Sequence, residues 1–474
     1  MTFPYSKSTR VLPLAVAALM GGCAAVPDLG PTPTPATPAR FATTQSLAGP
    51  VAAWPEDRWW QSLGDPQLAQ LVEEALVASP DLASADARLR RAQGLAEQAG
   101  AARLPTLSAT ATPELAKQSY NNGIPAQFVP KGWNDYGRAT IDLRYELDFF
   151  GRNRAAFRAA TSERQAAEVE ARAARLAVAA SVAEAYADLA RLFAERDAAE
   201  ATLRVRGETA SLVRRRVENG LDTRGEQSQA EAGVRAARAQ LAAGDEAIAL
   251  TRNRLAALLG AGPDRGLAIA RPPRIAPRAD GLPPSLALDL VGRRADIVAA
   301  RLRAEAAAQR IKVARANFYP NVNLAALIGV QSLGLDNIVR SGSTIGSVAP
   351  AISLPIFQGG RLSGQYREAR GDYDAAVALY DQTLTRALNE VADAAASRRA
   401  LATRLAETRA AVAASEDAYR IARQRYEGGL STFLNVLSAE DALTQNRRLL
   451  AELDARALAL DVQLIRALGG GFAA

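Results

Sequence analysis

The residue whose type and position best support chemistry is Cys23, the only cysteine in the 474-residue chain. It follows two glycines at the end of the apolar stretch 11–20, and two basic side chains precede that stretch. A basic start and about 7 to 15 apolar residues before small ones are typical of an export signal, whereas a membrane-spanning helix needs about 20 apolar residues. The sequence therefore predicts a signal peptide over residues 1–22 and acylation of the Cys23 thiol after its removal.

The rest of the composition excludes most enzyme chemistry. The chain contains no histidine, and a single cysteine cannot form an internal disulfide or a thiolate cluster. It therefore lacks an imidazole base, a Ser-His-Asp unit and histidine ligands for zinc, copper or haem. The glycine-rich segment 359–364 has neither the lysine nor the spacing of a phosphate-binding loop. We expect no enzyme activity, no cofactor and no metal site.

The charge and the alanine content favour packed helices over nucleic-acid binding. The chain carries 57 basic and 50 acidic side chains, a net charge of +7, and only 5% of its residues are aromatic. Arginine alternates with alanine and glutamate, which is typical of solvated helical faces. Since no basic run is interleaved with aromatic residues, we expect no nucleic-acid partner.

The segment that follows Cys23 is predicted to be a lipidated N-terminal spacer over residues 23–60. Acylation would tether the mature chain to a membrane leaflet. In the lipoproteins that this start resembles, alanine in place of aspartate after the cysteine favours delivery to the outer membrane, and Ala24 stands there. The proline-rich stretch 27–38 favours an extended conformation.

The remainder of the chain is interpreted as a tandem duplication. Equivalent signals recur in the same order in both halves: Asp81 with Asp296, Pro105 with Pro320, Phe150 with Phe357, and Gly220 with Gly429. We predict a first repeat over 61–262, a linker over 263–284 rich in proline and arginine, and a second repeat over 285–474. Each repeat is predicted to contain a helix, a β-hairpin (about 104–150 and 319–357) and a long helical hairpin (152–260 and 361–468).

The helical hairpins are predicted from two long proline-free stretches. Proline is absent between Pro130 and Pro263 and again after Pro355. Each stretch runs to a glycine, Gly220 or Gly429, and a shorter helical segment follows. Apolar residues spaced alternately four and three apart predict antiparallel coiled-coil packing within each hairpin.

The β-hairpins are predicted from apolar alternation, which is clearest over 140–149. One face of that stretch is apolar, and the other carries the charged side chains Asp142, Arg144, Glu146 and Asp148. Four strands cannot close a membrane barrel, whose smallest known forms have about eight strands. If the strands span a bilayer, self-association follows. Three chains would supply twelve strands, and two or four chains would also close a barrel.

Several ordered motifs resemble those of one known family. They are 145–152 (YELDFFGR), 293–297 (RRADI), 317–320 (NFYP) and 354–362 (LPIFQGGRL). Together they resemble the TolC-like outer membrane factors, most closely the lipoprotein branch, NodT or OprM-like. Ala295 departs from the proline that the family has in its Arg-Arg-Pro-Asp-Ile motif.

The resemblance implies a mostly α fold with a small membrane β part, closing as a homotrimer with a twelve-stranded β-barrel and an α-helical tunnel. It implies a passive exit duct in the outer membrane of a Gram-negative bacterium, lipid-anchored and extending into the periplasm. Its partners would be outer-membrane lipid, a periplasmic adaptor protein and an inner-membrane transporter, here of the proton-driven drug-exporter type.

The resemblance also implies roles for individual residues. Adaptor contacts fall at the helical turns: Gly220, Leu221, Gly428, Gly429, Leu430 and Ser431. The periplasmic entrance falls at Glu226, Tyr426, Asn435 and Ser438, and the charged strand face lines the barrel lumen. The family has arginine at Ser431 and aspartates at Asn435 and Ser438, so the strength of an ionic latch does not carry over. The residues alone also allow an exposed coiled-coil charge at Glu226, ordinary heptad packing at Tyr426 and a soluble interface at the charged face.

Other functions remain open at this stage. Within the same class they are metal-ion efflux and type I protein secretion, although the lack of methionine and histidine clusters disfavours a copper or silver duct. From another class, a coiled-coil lipoprotein could scaffold the envelope without forming a pore. The charged strand face disfavours the scaffold alternative, because a protein without a pore has no reason to carry such a face.

Overall fold

A computed structural model describes residues 25–273, 281–284 and 286–473. The predicted signal peptide and Cys23 lie outside the described residues. The described chain forms two compact units. Unit 1 contains 25–35, 90–167 and 300–379, and unit 2 contains 36–89, 168–299 and 380–473, apart from the undescribed positions. Each unit thus combines segments from both halves of the sequence. The division into two sequence repeats stays a prediction.

Helices make up most of the described chain. In chain order they are α1 (Pro66–Ala78), α2 (Pro80–Ala101), α3 (Arg152–Glu218), α4 (Arg224–Leu258), α5 (Asp264–Leu267), α6 (Leu286–Arg293), α7 (Ala295–Ala316), α8 (Arg361–Glu427) and α9 (Phe433–Ala467). Helices α3 and α4 form the first hairpin, and α8 and α9 form the second. Alanine-rich sequence without proline explains their length, since alanine is the best helix former and proline the worst. Across the described ranges, the helices include none with the length and apolar character for a bilayer crossing.

A four-stranded antiparallel sheet lies in unit 1. Its strands are β1 (Thr106–Ala116), β2 (Asn134–Leu147), β3 (Asn321–Leu333) and β4 (Thr344–Ser353), paired in the order β1-β2-β3-β4. The central β2–β3 pair joins the two halves of the sequence, with Leu143 opposite Ala326. Strands β1 and β4 are the edges, and each contains a proline, which edge strands tolerate because proline cannot donate to a ladder. The fold class predicted from the sequence, mostly helical with four strands, is confirmed.

The two faces of the sheet differ as the alternation predicted. Leu107 pairs with Leu143, Ile141 with Ile328, and Ala326 with Val348, so these side chains share one face. That face is exposed: Leu107 is 70%, Ile328 63% and Val348 74% accessible. On the other face Asp142 lies opposite Ser108, and Arg144 lies opposite Thr106. The sheet is therefore apolar on one exposed face and polar on the other.

The structure changes two details of the predicted strands. Strand β2 ends at Leu147, so Asp148 lies beyond the charged strand face. The Asp148 carboxylate instead accepts hydrogen bonds from the backbone N–H groups of Asn153 (3.2 Å) and Arg154 (2.8 Å), where it satisfies the free donors that begin α3. Strand β4 runs over Thr344–Ser353, so the hairpin predicted over about 319–357 extends beyond its end. The glycine, serine and proline residues of β4 interrupt the apolar alternation from which strands are predicted.

The main core of unit 2 surrounds the middle of α3. Buried side chains of α1, the Trp59–Trp60 pair and the ends of α4 and α9 pack there. Tyr186 is fully buried and donates a hydrogen bond to Asp65 at 2.6 Å. Asp65 also caps α1 by accepting from the backbone N–H of Gln67 at 2.9 Å. One carboxylate thus fixes both the start of α1 and its position on α3.

The 293–297 motif has a structural role in unit 2. Arg294 is only 7% exposed and donates to Asp296 (2.7 Å), Glu390 (2.6 Å) and the carbonyl oxygen of Ala467 (3.0 Å). These contacts connect the start of α7, the side of α8 and the end of α9. The charge of a buried guanidinium must be compensated by hydrogen-bond acceptors, which explains why Asp296 follows Arg294 so closely in the sequence.

Candidate functional site

The two hairpins of unit 2 reverse direction in the same way. Leu221 N–H donates to the Arg216 carbonyl oxygen (2.8 Å), and Leu430 N–H donates to that of Arg425 (2.8 Å). Gly220 and Gly429 have φ values of 73° and 71°, the left-handed region of a Schellman turn. A Cβ at either glycine would meet open space, so the backbone conformation alone requires glycine there.

Each turn presents a leucine to solvent. Leu221 is 63% exposed and Leu430 is 72% exposed. Leu434, in the first turn of α9, adds a third apolar side chain at 65% exposure. An apolar side chain at a glycine-fixed reversal is suited to contact with another protein.

The helices that follow the turns begin differently. Thr223 and Glu226 form a reciprocal capping box at the start of α4: Glu226 N–H donates to Thr223 Oγ1 (3.3 Å), and Thr223 N–H donates to Glu226 Oε2 (2.8 Å). At the start of α9, the Thr432 side chain makes no capping hydrogen bond. Asn435 and Ser438 are both exposed. The predicted entrance residue Glu226 therefore has a local structural role, and its place at the periplasmic entrance stays a prediction.

Asp222 connects the two hairpins just past the first turn. Its Oδ2 accepts hydrogen bonds from Arg216 Nε at 3.0 Å and from the Tyr426 hydroxyl. The Asp222 side chain is 5% exposed and that of Arg216 is 13% exposed. The Arg216 guanidinium also lies 4.4 Å from the centre of the Tyr426 ring, and it donates to the Glu427 carbonyl oxygen at 3.3 Å. We name Arg216, Asp222 and Tyr426 the turn cluster.

Burial keeps the phenol of Tyr426 protonated. Burial, reinforced by the hydrogen bond to Asp222, raises the pKa of Tyr426 far above its ordinary value of 10.0. The phenol therefore stays protonated and remains a donor at every physiological pH. The ring is 1% exposed and packs 5.9 Å from Phe433, centre to centre. The predicted entrance residue Tyr426 thus has a hydrogen-bond partner on the first hairpin, and its role at an entrance stays a prediction.

Sequence reasoning missed Asp222 and Arg216. The signal was available, because Asp222 stands two residues after one turn glycine where Ser431 follows the other. Ser431 Oγ is buried and has no hydrogen-bond partner among the described residues. The arginine that the resemblance expected at position 431 is thus absent, while Arg216 supplies a guanidinium from the first hairpin.

The predicted lumen residues lie in unit 1. Asp142 accepts a hydrogen bond from Thr140 at 2.9 Å, and Glu146 is ion-paired with Arg152 at the start of α3. Arg144 lies on the same face of β2 as Asp142. Among the residues that the structure describes, none of the acidic groups cluster in a way that could hold a metal ion.

The sequence of this chain is similar to those of known efflux proteins. A family model described as outer membrane efflux protein matches residues 71–261 and 286–470. The chain is 33% identical to the probable efflux pump outer membrane protein TtgC of Pseudomonas putida, over 98% of this chain and 96% of that protein. It is 36% identical to the fusaric acid resistance protein FusA of Burkholderia cepacia, over 77% of this chain and 70% of that protein.

A solved structure shares the fold. The outer membrane protein VceC of Vibrio cholerae superposes with a TM-score of 0.83 and 48% sequence identity, over 88% of this chain and all of that chain.

Proposed function

The chain belongs to the outer membrane efflux protein family, as its motifs predicted, and from this premise we propose that it is the outer-membrane exit duct of a tripartite efflux system. In this proposal it conducts substrates passively, and an inner-membrane transporter and a periplasmic adaptor deliver them. The transporter is of the drug-exporter type, which agrees with relatives named as efflux pump and resistance proteins.

The observation that carries the proposal is the sheet of unit 1. Its apolar face is exposed, and its edges β1 and β4 have no partner strand within the described chain. An open sheet cannot stand in lipid, because every backbone donor and acceptor must be satisfied there. Several chains joined β4 to β1 satisfy both requirements, and three chains would do so with twelve strands. Because the family resemblance implies three, we propose a homotrimer with a closed barrel.

The polar face of the sheet then lines the lumen. Asp142, Arg144 and Glu146 lie on that face, so charged side chains meet water while apolar ones meet lipid. Asp148 accepts hydrogen bonds at the start of α3 and would lie beside the lumen wall. The exposed apolar face also disfavours the scaffold alternative, since a soluble coiled-coil protein has no reason to expose it.

The lipid anchor is proposed at Cys23. Val26 and Leu29 pack against Phe318 and Tyr366 in unit 1, next to the start of β3. Arg370 fixes the same segment by donating to the carbonyl oxygen of Pro31 at 3.1 Å. An acyl chain three residues before Val26 would therefore enter the membrane near the ends of the strands.

The two turns of unit 2 are proposed as the adaptor-docking tips, with Leu221 and Leu430 as their apolar contacts. The turn cluster is proposed to hold the two hairpins together in the closed entrance. Glu226, Asn435 and Ser438 follow the turns and would face the narrowed end.

One experiment tests the proposal as a whole. The purified protein should have the native mass of three chains and should form discrete conducting steps in a planar lipid bilayer. A monomeric mass, or a trimer that never conducts, would contradict the duct.

A further inference from the structure

A second polar cluster lies in unit 2, deeper along the hairpins than the turn cluster. Three helices meet there: α3 supplies Thr209, α8 supplies Tyr419, and α9 supplies Glu440. All three side chains are buried, and Glu440 is only 2% exposed. Thr209 Oγ1 donates to Glu440 Oε2 at 2.7 Å and lies 3.1 Å from the Tyr419 hydroxyl. We name these residues, with Arg206, the deep cluster.

The charge of Glu440 is incompletely compensated. Arg206 Nε lies 3.4 Å from Glu440 Oε1 but makes no hydrogen bond there or elsewhere in the described chain. The other nitrogens of Arg206 are directed to Asp441 (3.1 Å) and to the carbonyl oxygen of Gly233 (3.2 Å). A buried carboxylate with one hydrogen bond and one loose ion pair is costly in its ionised form.

Polar and charged groups of the neighbouring helices surround Glu440. Arg206 of α3 and Asp441 of α9 act on its carboxylate, and Glu440 in turn acts on Tyr419 of α8. Glu208 and Arg423 act on Tyr419. Helix α4 provides the Gly233 carbonyl oxygen, to which Arg206 donates. Burial raises the pKa of Glu440 above its ordinary 4.5, and the hydrogen bond from Thr209 and the charge of Arg206 oppose that rise. The effect of burial on the pKa of Glu440 is larger than either of these two effects, and the net change is upward.

We propose that Glu440 is a proton-sensitive positioning residue, which holds α9 of the second hairpin on α3 of the first when protonated and loosens that contact when ionised. The neutral acid keeps its bond with Thr209 without the cost of a buried charge. The ionised form gains from hydration, and water can reach it only if the helices separate locally.

The direction of the pH effect follows from linkage. A carboxyl whose pKa is higher in the folded state binds its proton more tightly there, so it adds stability as pH falls. That contribution is complete below the ordinary pKa and is lost as pH rises through the folded one. Local opening at the deep cluster should therefore become easier from acidic to neutral pH.

The test is hydrogen exchange on the full-length protein in detergent. Protection factors for peptides covering 433–443 are measured between pH 4 and 8, with the intrinsic exchange rate corrected at each pH. We expect the wild type to lose protection severalfold as pH rises. Glu440→Gln should keep high protection that does not change with pH, because the amide is neutral and nearly isosteric. Glu452→Gln makes the same change at an exposed position of α9 and should behave like the wild type.

A second variant keeps the proposal testable if Glu440→Gln folds poorly. Thr209→Val removes the donor that favours the ionised carboxylate, so the loss of protection should shift to higher pH. A shift to lower pH contradicts the proposal. An unchanged pH profile in either the Thr209 or the Glu440 variant overturns it.

The consequence for conduction rests on the proposed function. If the deep cluster helps to close the entrance, wild-type conductance in planar bilayers should rise with pH more than that of Glu440→Gln. A pH-dependent exchange profile without any conductance leaves the switch in place and contradicts the duct. Conductance with equal pH dependence in both proteins, together with unchanged exchange, contradicts the switch alone.

Discussion

Asp222 is one side chain that connects the two hairpins. It receives both a guanidinium and a phenol on one carboxylate oxygen, and it is nearly inaccessible to water. Its counterpart after the second turn, Ser431, forms no such contact in the described chain. The two turns share one backbone geometry and differ in chemistry, which provides a matched pair of positions.

The first prediction concerns this pair. Asp222→Ala leaves the Arg216 guanidinium without its carboxylate, so local opening of 216–223 should become easier by on the order of 2 kcal/mol. The cost is below that of a fully buried pair because 13% of the Arg216 side chain is exposed. Hydrogen exchange measures it. Ser431→Ala is the control and should change opening by less than about 0.5 kcal/mol. Equal effects at both positions would contradict the assigned cluster.

The second prediction separates the two roles of Glu226. Glutamine can still form a capping box, whereas alanine cannot. Glu226→Gln should therefore keep α4 intact while it weakens block of the conducting protein by multivalent cations, because three carboxylates near one axis become neutral. Glu226→Ala should weaken block and also destabilise the start of α4 by about 1 kcal/mol. Bilayer recordings and hydrogen exchange report the two effects. Unchanged cation block in both variants would place Glu226 away from the conduction path.

At the scale of the elements, the hairpins depend on their glycine reversals. Gly429→Ala forces a Cβ into the left-handed region and should cost about 1 to 2 kcal/mol, since open space around the position removes any steric term. The same substitution at Gly371, inside α8 and also in open space, should instead stabilise the helix by up to about 1 kcal/mol. Thermal unfolding of both variants checks the opposite signs. The same sign at both positions would contradict the turn geometry.

How much the sequence could predict differs between elements. The long helices were predictable because they lie in proline-free stretches and their apolar residues recur at a regular spacing. Strand β2 was predictable from its alternating charges. The extent of strand β4 was not, because Gly346 and Pro350 interrupt the alternation that marks strands. Glu440 was missed for another reason. Its partner Thr209 lies on another helix, and no local pattern shows which helices will meet.

At the scale of the molecule, the lipid anchor proposed at Cys23 and the proposed barrel would be two separate attachments to the membrane. Cys23→Ser should abolish incorporation of labelled palmitate, while the protein should still fractionate with the outer membrane because the strands insert on their own. Wild-type protein labelled in parallel is the control. Label that persists in the variant would mean that another residue is acylated.

The pairing of β2 with β3 also sets an order of events. Leu147 lies opposite Val322, and the whole first hairpin occupies the chain between them. Closing so long a loop is entropically costly and slow, and contacts distant in sequence delay folding. The sheet therefore cannot form until β3 and β4 have left the export machinery, long after β1 and β2. We expect the first strands to wait in the periplasm as an unpaired, aggregation-prone hairpin, so biogenesis should be limited by the arrival of the second half of the chain.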